Sequence, residues 1–353
     1  MALEWEWKKI FTVLGVLSLC FLIIPIPIER NGMKEHEHEF KIFMKKFNKS
    51  YDTNSTEYIL RLSNFQESIK KIKDLNGERT SSASALFGVT SFSDLSEEEF
   101  LRDHLQPTLD AHVKKSHHGR HRDHNHHHHI KRQVPKNVPL KVDWRNKNVI
   151  TSVKNQKLCG ACWAFSTVEV MESMQAISHG KLESLSVQEA IDCAGYGNLG
   201  CEGGDMCSLL DWMVTNNVGL QLESQYPLHL KTETCHLNKN VTGVHVASNF
   251  TCENLVDDEN HLLTLLAFHG PVAVAVNAVA WQYYLGGIIH FHCSGAVINH
   301  AVQLVGYDLT APVPYYIARN SWGPEFGISG YLYLAIGSNI CGVATEVVSL
   351  DIL

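Results

Sequence analysis

The sequence has no long basic stretch in which lysine or arginine alternates with aromatic residues, which argues against a nucleic-acid-binding protein. Its formal net charge is only −7 at pH 7 over 353 residues. It also lacks an even number of cysteines outside the N-terminal apolar run: ten are present in all, and setting aside Cys20 in that run leaves nine. In an oxidising compartment an odd cysteine indicates a free reactive thiol. Four disulfides and one nucleophile are the simplest account of the nine.

Length and composition allow two domains, or one large domain with appendages, because 44% of the residues are hydrophobic and can fill a sizeable core. Residues Ile10–Ile28 are almost wholly apolar and follow two lysines. They predict a signal peptide or a signal anchor over residues 1–28, and we favour a removed signal. Glycosylation sequons also favour the secretory pathway. They are Asn48, Asn54, Asn240 and Asn249.

One short stretch has the features of a nucleophile at the start of a helix. Apolar residues recur at three-residue steps from Phe165 to Met174, and Gly180 closes the run. Cys162 would lie in the first turn, where free amides and the helix dipole favour a thiolate. The alternative is a disulfide partner or a small buried residue, but the neighbours in Cys159–Trp163 favour the nucleophile.

The stretch Cys159–Trp163 matches the C-G-[SA]-C-[WY] signature and resembles the papain-like cysteine peptidases, or cathepsins. Two earlier stretches resemble motifs of that family's propeptides. The helical stripe from Glu57 to Asn76 resembles the ERFNIN pattern, with Ser68 in place of Asn, and Gly88–Asp94 resembles G-x-N-x-F-x-D, with Thr90 in place of Asn. The resemblance implies an inhibitory prodomain whose chain crosses the active-site cleft. Periodicity alone would support only an ordinary amphipathic helix.

The order of the remaining patterns predicts an α+β protein. Residues Asn31–Asn76 have a helical pattern, Ser186–Glu189 reads as a capping box, and short branched and aromatic runs from about Val244 onward predict an antiparallel sheet or barrel. The resemblance implies a papain-like two-lobed fold: a helix-rich N-terminal lobe and an antiparallel β-barrel-like C-terminal lobe, with the active-site cleft between them. We assign residues 29–132 to the helical inhibitory propeptide and residues 133–353 to the peptidase domain.

A His-rich linker at about residues 105–132 separates the two parts. It contains the run His126–His129 and ends in Lys131-Arg132, near which processing is expected. Such a tract can bind metal. It can also sense pH, because imidazoles gain charge near pH 6. A solvated linker without either role is the third interpretation, and the sequence does not decide among them.

The resemblance implies the catalytic roles. Cys162 is the expected nucleophile, His300 the general acid and base, and Asn320 the group that orients the imidazole. The separation of His300 from Cys162 falls within the roughly 130–150 residues typical of these enzymes, and Asn320 comes slightly later. Trp322 would shield the His–Asn bond, and Gln156 with the Cys162 backbone N–H would form the oxyanion hole.

Substrate contacts follow from motif positions in the family. Gly203 and Gly204 form the C-x-G-G loop, where glycine lets the substrate backbone approach closely. The pocket for the second residue before the scissile bond is expected from Met206, Ala275, Ile298, Ala301 and Glu346. Glu346 would accept an Arg side chain beside apolar ones, unless it points to solvent. Phe326 stands where relatives usually have Trp, which keeps an aromatic wall but loses an indole donor.

The resemblance also implies the disulfides Cys159–Cys201, Cys193–Cys235 and Cys293–Cys341, leaving the pairing of Cys207 with Cys252 open. We expect no metal and no cofactor. The expected activity is that of a lysosomal or exported cysteine endopeptidase made as a zymogen. An endopeptidase is expected instead of an exopeptidase because no insertion that would block the cleft is evident. Expected partners are protein and peptide substrates, its own propeptide and cystatin-like inhibitors, with membrane association only if the N-terminal segment is retained. The rival hypothesis is a catalytically silent papain-fold binding or scaffold protein.

Overall fold

A computed structural model describes residues 30–77, 79, 81–106, 138–237 and 243–353, with side chains from His36 onward. The N-terminal apolar run, most of the His-rich linker, Lys131-Arg132 and the Asn240 sequon lie outside the described residues. Among the described helices, none combines the length and apolarity that crossing a membrane requires. The chain forms two compact units, one ending at Gln66 and one beginning at Glu67.

The first unit contains helix α1 (Arg30–Lys46) and the start of helix α2 (Thr56–Gly77). Its centre is aromatic: the ring of Phe40 lies 5.4 Å from those of Tyr58 and Phe65. The helical pattern predicted over residues 31–76 forms two helices, because the chain leaves the helix between α1 and α2. Asn48 adopts a left-handed φ of 52°, and Ser55 Oγ accepts a hydrogen bond from the Tyr58 N–H to begin α2.

The second unit begins with the rest of α2, strand β1 (Leu86–Phe87) and helix α3 (Glu97–His104). Helix α3 opens with a complete capping box, because Ser96 and Glu99 each bond the other's backbone N–H. The box predicted at Ser186 is only half formed: its hydroxyl accepts from the Glu189 N–H, but the Glu189 carboxylate accepts from Gln221 instead.

Three helices form the helical lobe. They are α4 (Cys162–His179), α5 (Val187–Cys193) and α6 (Met206–Thr215). Every residue of α4 from Cys162 to Ala176 is buried, as expected of a helix that is surrounded by protein on all sides. Gly180 ends α4 with a left-handed φ of 69°, a conformation that glycine adopts without strain.

Among the described residues, the strand-rich lobe contains the α-helix α7 (Glu259–Phe268) and most of the sheet. Eight strands form the sheet: β2 (Lys141–Asp143), β3 (Thr251–Glu253), β4 (Val272–Val276), β6 (Ile288–Ile289), β7 (His300–Asp308), β8 (Tyr315–Arg319), β9 (Tyr331–Ala335) and β10 (Val347–Ser349). Their order is β3-β10-β4-β7-β8-β9-β6, with β2 also on β7. The expected barrel is not closed, and the β6–β9 pair is parallel.

Two hydrophobic cores give the fold its two lobes. One surrounds α4 and α6 and extends to Ala275 and Val348 of the sheet. The other lies on the opposite side of the sheet and includes Trp281 and Trp322. It also includes Phe100 and other residues of the expected propeptide, residues 29–132, which is called the prosegment below. Strands β4, β7 and β10 contribute to both cores because successive side chains of a strand point to opposite faces. The α+β class and the helix-rich and strand-rich lobes are as predicted.

Candidate active site

Cys162 is the first residue of α4, and its thiol is buried and unpaired. The chain enters the helix through Gly160, whose N–H donates to the Cys201 carbonyl at 2.8 Å. A Cβ at Gly160 would lie 2.7 Å from that oxygen, so the close approach requires glycine. The disulfide Cys159–Cys201 holds the same two segments together. The predicted helix start is therefore fixed covalently as well as by hydrogen bonding.

Gln156 is fully buried beside this entry, and both its backbone and its side chain are held by hydrogen bonds. Its backbone N–H donates to the Ser321 carbonyl at 2.8 Å. Its side-chain Nε2 donates to the Cys159 carbonyl at 3.0 Å, and its Oε1 accepts from Ser321 Oγ at 2.5 Å. The amide therefore has a fixed orientation and retains a second N–H that these bonds do not use.

His300 begins β7, and its Nε2 donates to Asn320 Oδ1 at 2.8 Å. Because an amide oxygen only accepts, the proton of a neutral His300 lies on Nε2, and Nδ1 keeps a lone pair. Nδ1 has no hydrogen-bond partner within the described part of the chain. The Trp322 ring centre lies 4.9 Å from that of His300, and Trp322 is itself buried, so water is kept from the His–Asn bond.

The backbone N–H of Ala301, the residue after His300, acts on the Cys162 thiol together with N–H groups of α4. These groups favour a thiolate, but burial outweighs them and raises the pKa of Cys162 to about 12. Burial also lowers the pKa of His300 to about 4, against the bond to Asn320, and charge on His104 adds to the lowering. In this form of the protein both groups are therefore neutral near pH 7.

The prosegment supplies the residue that reaches the thiol, and sequence reasoning missed it. Gln106 is buried, with Oε1 at 3.7 Å from Cys162 Sγ. Its Nε2 donates to the Gly204 carbonyl at 2.6 Å, and its backbone N–H donates to the Asn299 carbonyl at 2.7 Å. Gln106 therefore contacts the glycine loop and the Cys162 thiol at once. No sequence motif indicates this contact, because it joins residues far apart in the chain.

Upstream of Gln106 the prosegment is bound in two ways. Strand β1 pairs antiparallel with β5 (Tyr284–Gly286) of the strand-rich lobe. Beyond it, Phe92 and Phe100 pack edge-on against Trp322, with ring centres at 5.6 and 5.4 Å. The Trp322 ring, which lies against His300, is thus covered by Phe92 and Phe100.

The residues expected to line the substrate pocket lie in or beside the helical core. Met206, Ala275, Ile298 and Ala301 belong to the core around α4, and Glu346 is fully buried beside them rather than directed to solvent. A Cβ at Gly204 would come within 2.5 Å of the Trp163 ring. Gly203 adopts a φ of 123°. Asp205, which sequence reasoning did not single out, is buried next to these residues.

Four disulfides are present in the described residues, and Cys162 is the remaining free cysteine there. Three of them are the pairs implied by the resemblance: Cys159–Cys201, Cys193–Cys235 and Cys293–Cys341. The fourth joins Cys207 to Cys252, the pair that the sequence left open. Of the sequon residues in the described part, Asn48, Asn54 and Asn249 are exposed, as glycan acceptors must be.

Phe326 remains an aromatic neighbour of Trp322, with ring centres 4.9 Å apart in an edge-to-face arrangement. It also packs against Tyr284 at 5.9 Å. The aromatic wall expected at this position is therefore present, without the hydrogen-bond donor of an indole.

Comparison with known proteins agrees with this geometry. The model of the papain family cysteine proteases matches residues 138–350, and that of the cathepsin propeptide inhibitor domain matches residues 40–100. Cathepsin O of Homo sapiens is 39% identical over 294 residues, covering 81% of this chain and 86% of the relative. Cathepsin O of Mus musculus is 37% identical over 287 residues, covering 81% and 88%.

Solved structures of precursors are similar over nearly their whole length. The digestive procathepsin L2 proteinase from Tenebrio molitor larval midgut has a TM-score of 0.73 at 29% identity, covering 89% of this chain and 99% of that one. The recombinant stem bromelain precursor has a TM-score of 0.73 at 28% identity, covering 90% and 99%. This chain therefore belongs to the papain family of cysteine proteases, and it carries the cathepsin propeptide inhibitor domain ahead of its peptidase domain.

Proposed function

We propose that the mature protein is a cysteine endopeptidase in which Cys162, His300 and Asn320 form the catalytic group. The observation that carries this proposal is the arrangement of the imidazole: its Nε2 is bonded to Asn320 at 2.8 Å, and its Nδ1 keeps an unused lone pair. A thiol at the first residue of a helix is the matching nucleophile, because the helix amides stabilise a thiolate once the site is open to water.

In the proposed reaction, His300 Nδ1 takes the Cys162 proton, and the thiolate attacks the carbonyl carbon of the scissile peptide. The carbon–nitrogen bond then breaks, the imidazolium gives its proton to the leaving amine, and a thioester joins the acyl group to Cys162. Water, deprotonated by His300, attacks the thioester; the carbon–sulfur bond breaks and the acid product leaves. Asn320 keeps the imidazole oriented throughout, and Trp322 excludes water from their bond.

Negative charge develops on the carbonyl oxygen during both attacks. Gln156 is the proposed residue that stabilises this charge, because its side-chain amide is immobilised near Cys162 by bonds to Cys159 and Ser321. The unused N–H of that amide and the backbone N–H of Cys162 are the proposed donors. A donor fixed before the reaction begins gains most from the developing charge, since no reorientation is needed.

Two effects of the prosegment account for inhibition of the zymogen in this proposal: it occupies the active-site cleft, and it excludes water from Cys162 and His300. Gln106 occupies the glycine loop and contacts the thiol, and the same enclosure disfavours the thiolate–imidazolium pair. We propose that removing the prosegment restores water access and with it the ion pair. The pocket residues favour an apolar side chain at the second position before the scissile bond, with Arg accepted at Glu346.

We propose that the enzyme acts in protein degradation in lysosomes, reached through the secretory pathway, with export as the alternative destination. Four disulfides and three exposed sequon residues support passage through an oxidising compartment. Cystatin-like inhibitors are proposed partners because the open cleft of the mature enzyme is the surface that such inhibitors cover.

Labelling with an irreversible thiol-directed peptide epoxide tests the mechanism. We expect the acid-processed wild type to be labelled stoichiometrically and to lose activity, and the Cys162→Ala variant to resist both. Asn249→Gln is the matched control, since it alters an exposed sequon residue and should leave labelling unchanged. An enzyme that is processed and folded yet neither labelled nor active would instead be a silent papain-fold scaffold.

A further inference from the structure

One buried guanidinium joins the two strands that lead to the His300–Asn320 bond. Arg319 is the last residue of β8, directly before Asn320, and it is fully buried. Across the sheet it is paired with Gln303 of β7, three residues after His300. Its Nη1 donates to Gln303 Oε1 at 3.2 Å. The strands are therefore bonded side chain to side chain at their last paired position before His300 and Asn320.

The same guanidinium reaches the helix that begins at Cys162. Its Nη2 lies 3.4 Å from Glu169 Oε1, about two turns along α4 from the thiol. Gln303 makes a second connection to α4, since its Nε2 donates to the Glu169 carbonyl at 3.0 Å and to Ser173 Oγ at 2.8 Å. Arg319 and Gln303 thus connect α4, β7 and β8, the three elements that carry or adjoin the proposed catalytic group.

Arg319 also binds the segment that leads to Gln156. Its Nη2 donates to Thr151 Oγ1 at 3.1 Å and to the Ser152 carbonyl. All these partners belong to the assigned peptidase domain, so removal of the prosegment takes none of them away. The polar bonds of Arg319 therefore reach every segment that supplies a side chain to the proposed mechanism.

A buried guanidinium is suited to holding segments at fixed distances. It is planar, its donors have a fixed geometry, and it stays charged, so leaving it without partners in the protein interior is costly. Burial raises the pKa of Glu169 to about 7, yet a protonated carboxyl also keeps an acceptor oxygen, so this contact does not require ionised Glu169. Catalytic geometry tolerates little displacement: a misplacement of about 1 Å can cost about 10²-fold in rate.

We propose that Arg319 is a positioning residue that, with Gln303 and Glu169, sets the spacing of α4, β7 and β8 and so aligns the proposed catalytic group. Within the described residues its guanidinium bonds none of the three catalytic side chains, and it acts through the elements that carry them. This inference rests on the proposed function, because it requires that group to perform catalysis.

Steady-state kinetics of the acid-processed full-length protein on one peptide provides the test, with active sites counted by epoxide labelling. Arg319→Met keeps an unbranched side chain but removes the guanidinium. We expect kcat per labelled site to fall about tenfold to 10²-fold with KM changed less than about twofold, because alignment is altered and substrate contacts are not. Arg319→Lys should recover part of kcat, since a cation able to donate remains.

Lys154→Met is the matched control. It also removes a buried cation that binds an acid of α4, since Lys154 Nζ donates to Glu172 at 2.6 Å, but the Lys154 side chain bonds neither β7 nor β8. We expect its kcat per labelled site to stay within about twofold of the wild type. A comparable loss of stability in the two variants, with a loss of kcat in Arg319→Met alone, separates alignment from stability.

The pH dependence of kcat/KM is a second readout that a purely structural residue would not change. Its acid limb reports formation of the thiolate, and its alkaline limb reports loss of the imidazolium proton. Misalignment weakens the interactions that favour this ion pair, so the Arg319→Met profile should narrow by about half a pH unit or more. Lys154→Met should keep the limbs of the wild type.

Gln303→Ala provides a milder variant for the case in which Arg319→Met does not fold. It removes the bonds between β7, Arg319 and α4 but leaves the ion pair with Glu169, and kcat should fall about threefold to tenfold. The double variant Gln303→Ala with Arg319→Lys should lose less than the product of the two single losses, because both substitutions act on the same contacts.

The outcomes separate the inference from the proposed function. Wild-type kcat and pH limbs in Arg319→Lys and Gln303→Ala, or an equal loss of kcat in Lys154→Met and Arg319→Met, would overturn the role of Arg319 and leave the peptidase function standing. A wild type that is neither labelled nor active would instead refute the proposed function itself.

Discussion

At the residue scale, the folded chain fixes the orientation of Gln156, the proposed oxyanion donor. Both ends of its amide are bonded, Nε2 to the Cys159 carbonyl and Oε1 to Ser321 Oγ, and the side chain is fully buried. A buried amide held at both ends cannot rotate to follow the substrate. Its remaining N–H therefore points in one direction, set by the folded chain before a substrate binds.

We expect Gln156→Ala to lower kcat about 10²–10³-fold with little change in KM, because the donor stabilises charge that exists only in the transition state. Ser321→Ala removes the bond to Oε1 but leaves the donor, so its loss should stay below about tenfold. Steady-state kinetics on one peptide, with active sites counted by epoxide labelling, distinguishes the two. Equal losses would assign the effect of Gln156 to anchoring instead of to its donor.

At the scale of one element, α4 is surrounded by protein yet carries two acids on its buried surface, Glu169 and Glu172. Glu172 accepts from Thr151 Oγ1 at 2.5 Å, Lys154 Nζ at 2.6 Å and the Leu185 N–H at 2.8 Å. Burial raises the pKa of Glu169 to about 7, with the charge of Arg319 opposing it. The helix that presents Cys162 is thus positioned by polar bonds as well as by apolar packing.

Removing one partner of this buried network should be costly. We expect Lys154→Met to lower the free energy of unfolding by about 3–5 kcal/mol, since Glu172 would keep a buried charge without its cation. Lys141→Met is the control: Lys141 pairs with Asp308 at 2.8 Å but is 56% exposed, so its loss should cost less than about 1 kcal/mol. Denaturant unfolding of the zymogen in a Cys162→Ala background, which prevents processing, provides the measurement.

Similar losses for Lys154→Met and Lys141→Met would contradict a special role for the buried network. A second check is the double variant Lys154→Met with Glu172→Gln, which removes the uncompensated charge. It should recover part of the stability lost in the single variant, because a neutral amide is less costly to bury than an unpaired carboxylate.

On the scale of the whole molecule, the burial of His300 links the stability of the folded zymogen to pH. The pKa of His300 falls from 6.5 to about 4 on burial, so the folded zymogen favours neutral imidazole. The unfolded chain therefore binds the proton more readily between these two values, and stability declines as pH falls through this window. Above pH 6.5 this contribution is constant.

We expect the Cys162→Ala zymogen to lose up to about 3 kcal/mol of stability from His300 between about pH 6.5 and pH 4. The His300→Gln variant cannot titrate at this site and should show a shallower decline over the same window. Thermal or denaturant unfolding at a series of pH values measures both. Parallel declines in the two proteins would mean that other groups account for the acid sensitivity.

Local patterns predicted much of this arrangement. The Cys162 helix and its Gly180 end follow from spacing and caps, which act within a few residues. The fold class also follows, since helical and strand patterns occupy successive halves of the peptidase domain. The break near Asn48 was missed because the apolar spacing continues across it.

Contacts between segments that are distant in the chain could not be predicted from the sequence. Gln106 meets Gly204 across 98 residues, and Asp205 meets Glu346 across a still longer separation. The periodicity of the sequence does not indicate which polar side chain will lie beside which carbonyl, because that contact depends on how the whole sheet folds. The open sheet is a similar case: the strands were identifiable, but closure depends on how the edge strands β3 and β6 are placed.

The positions of the disulfides have one further consequence, which concerns the connectivity of the chain. The loops closed by Cys159–Cys201, Cys193–Cys235 and Cys207–Cys252 overlap in series, each opening before the previous one closes. They form an unbroken succession of covalent rings from residue 159 to residue 252. A single backbone cut within that interval therefore leaves one molecule, and the Cys207–Cys252 bond alone extends this protection over residues 236–251.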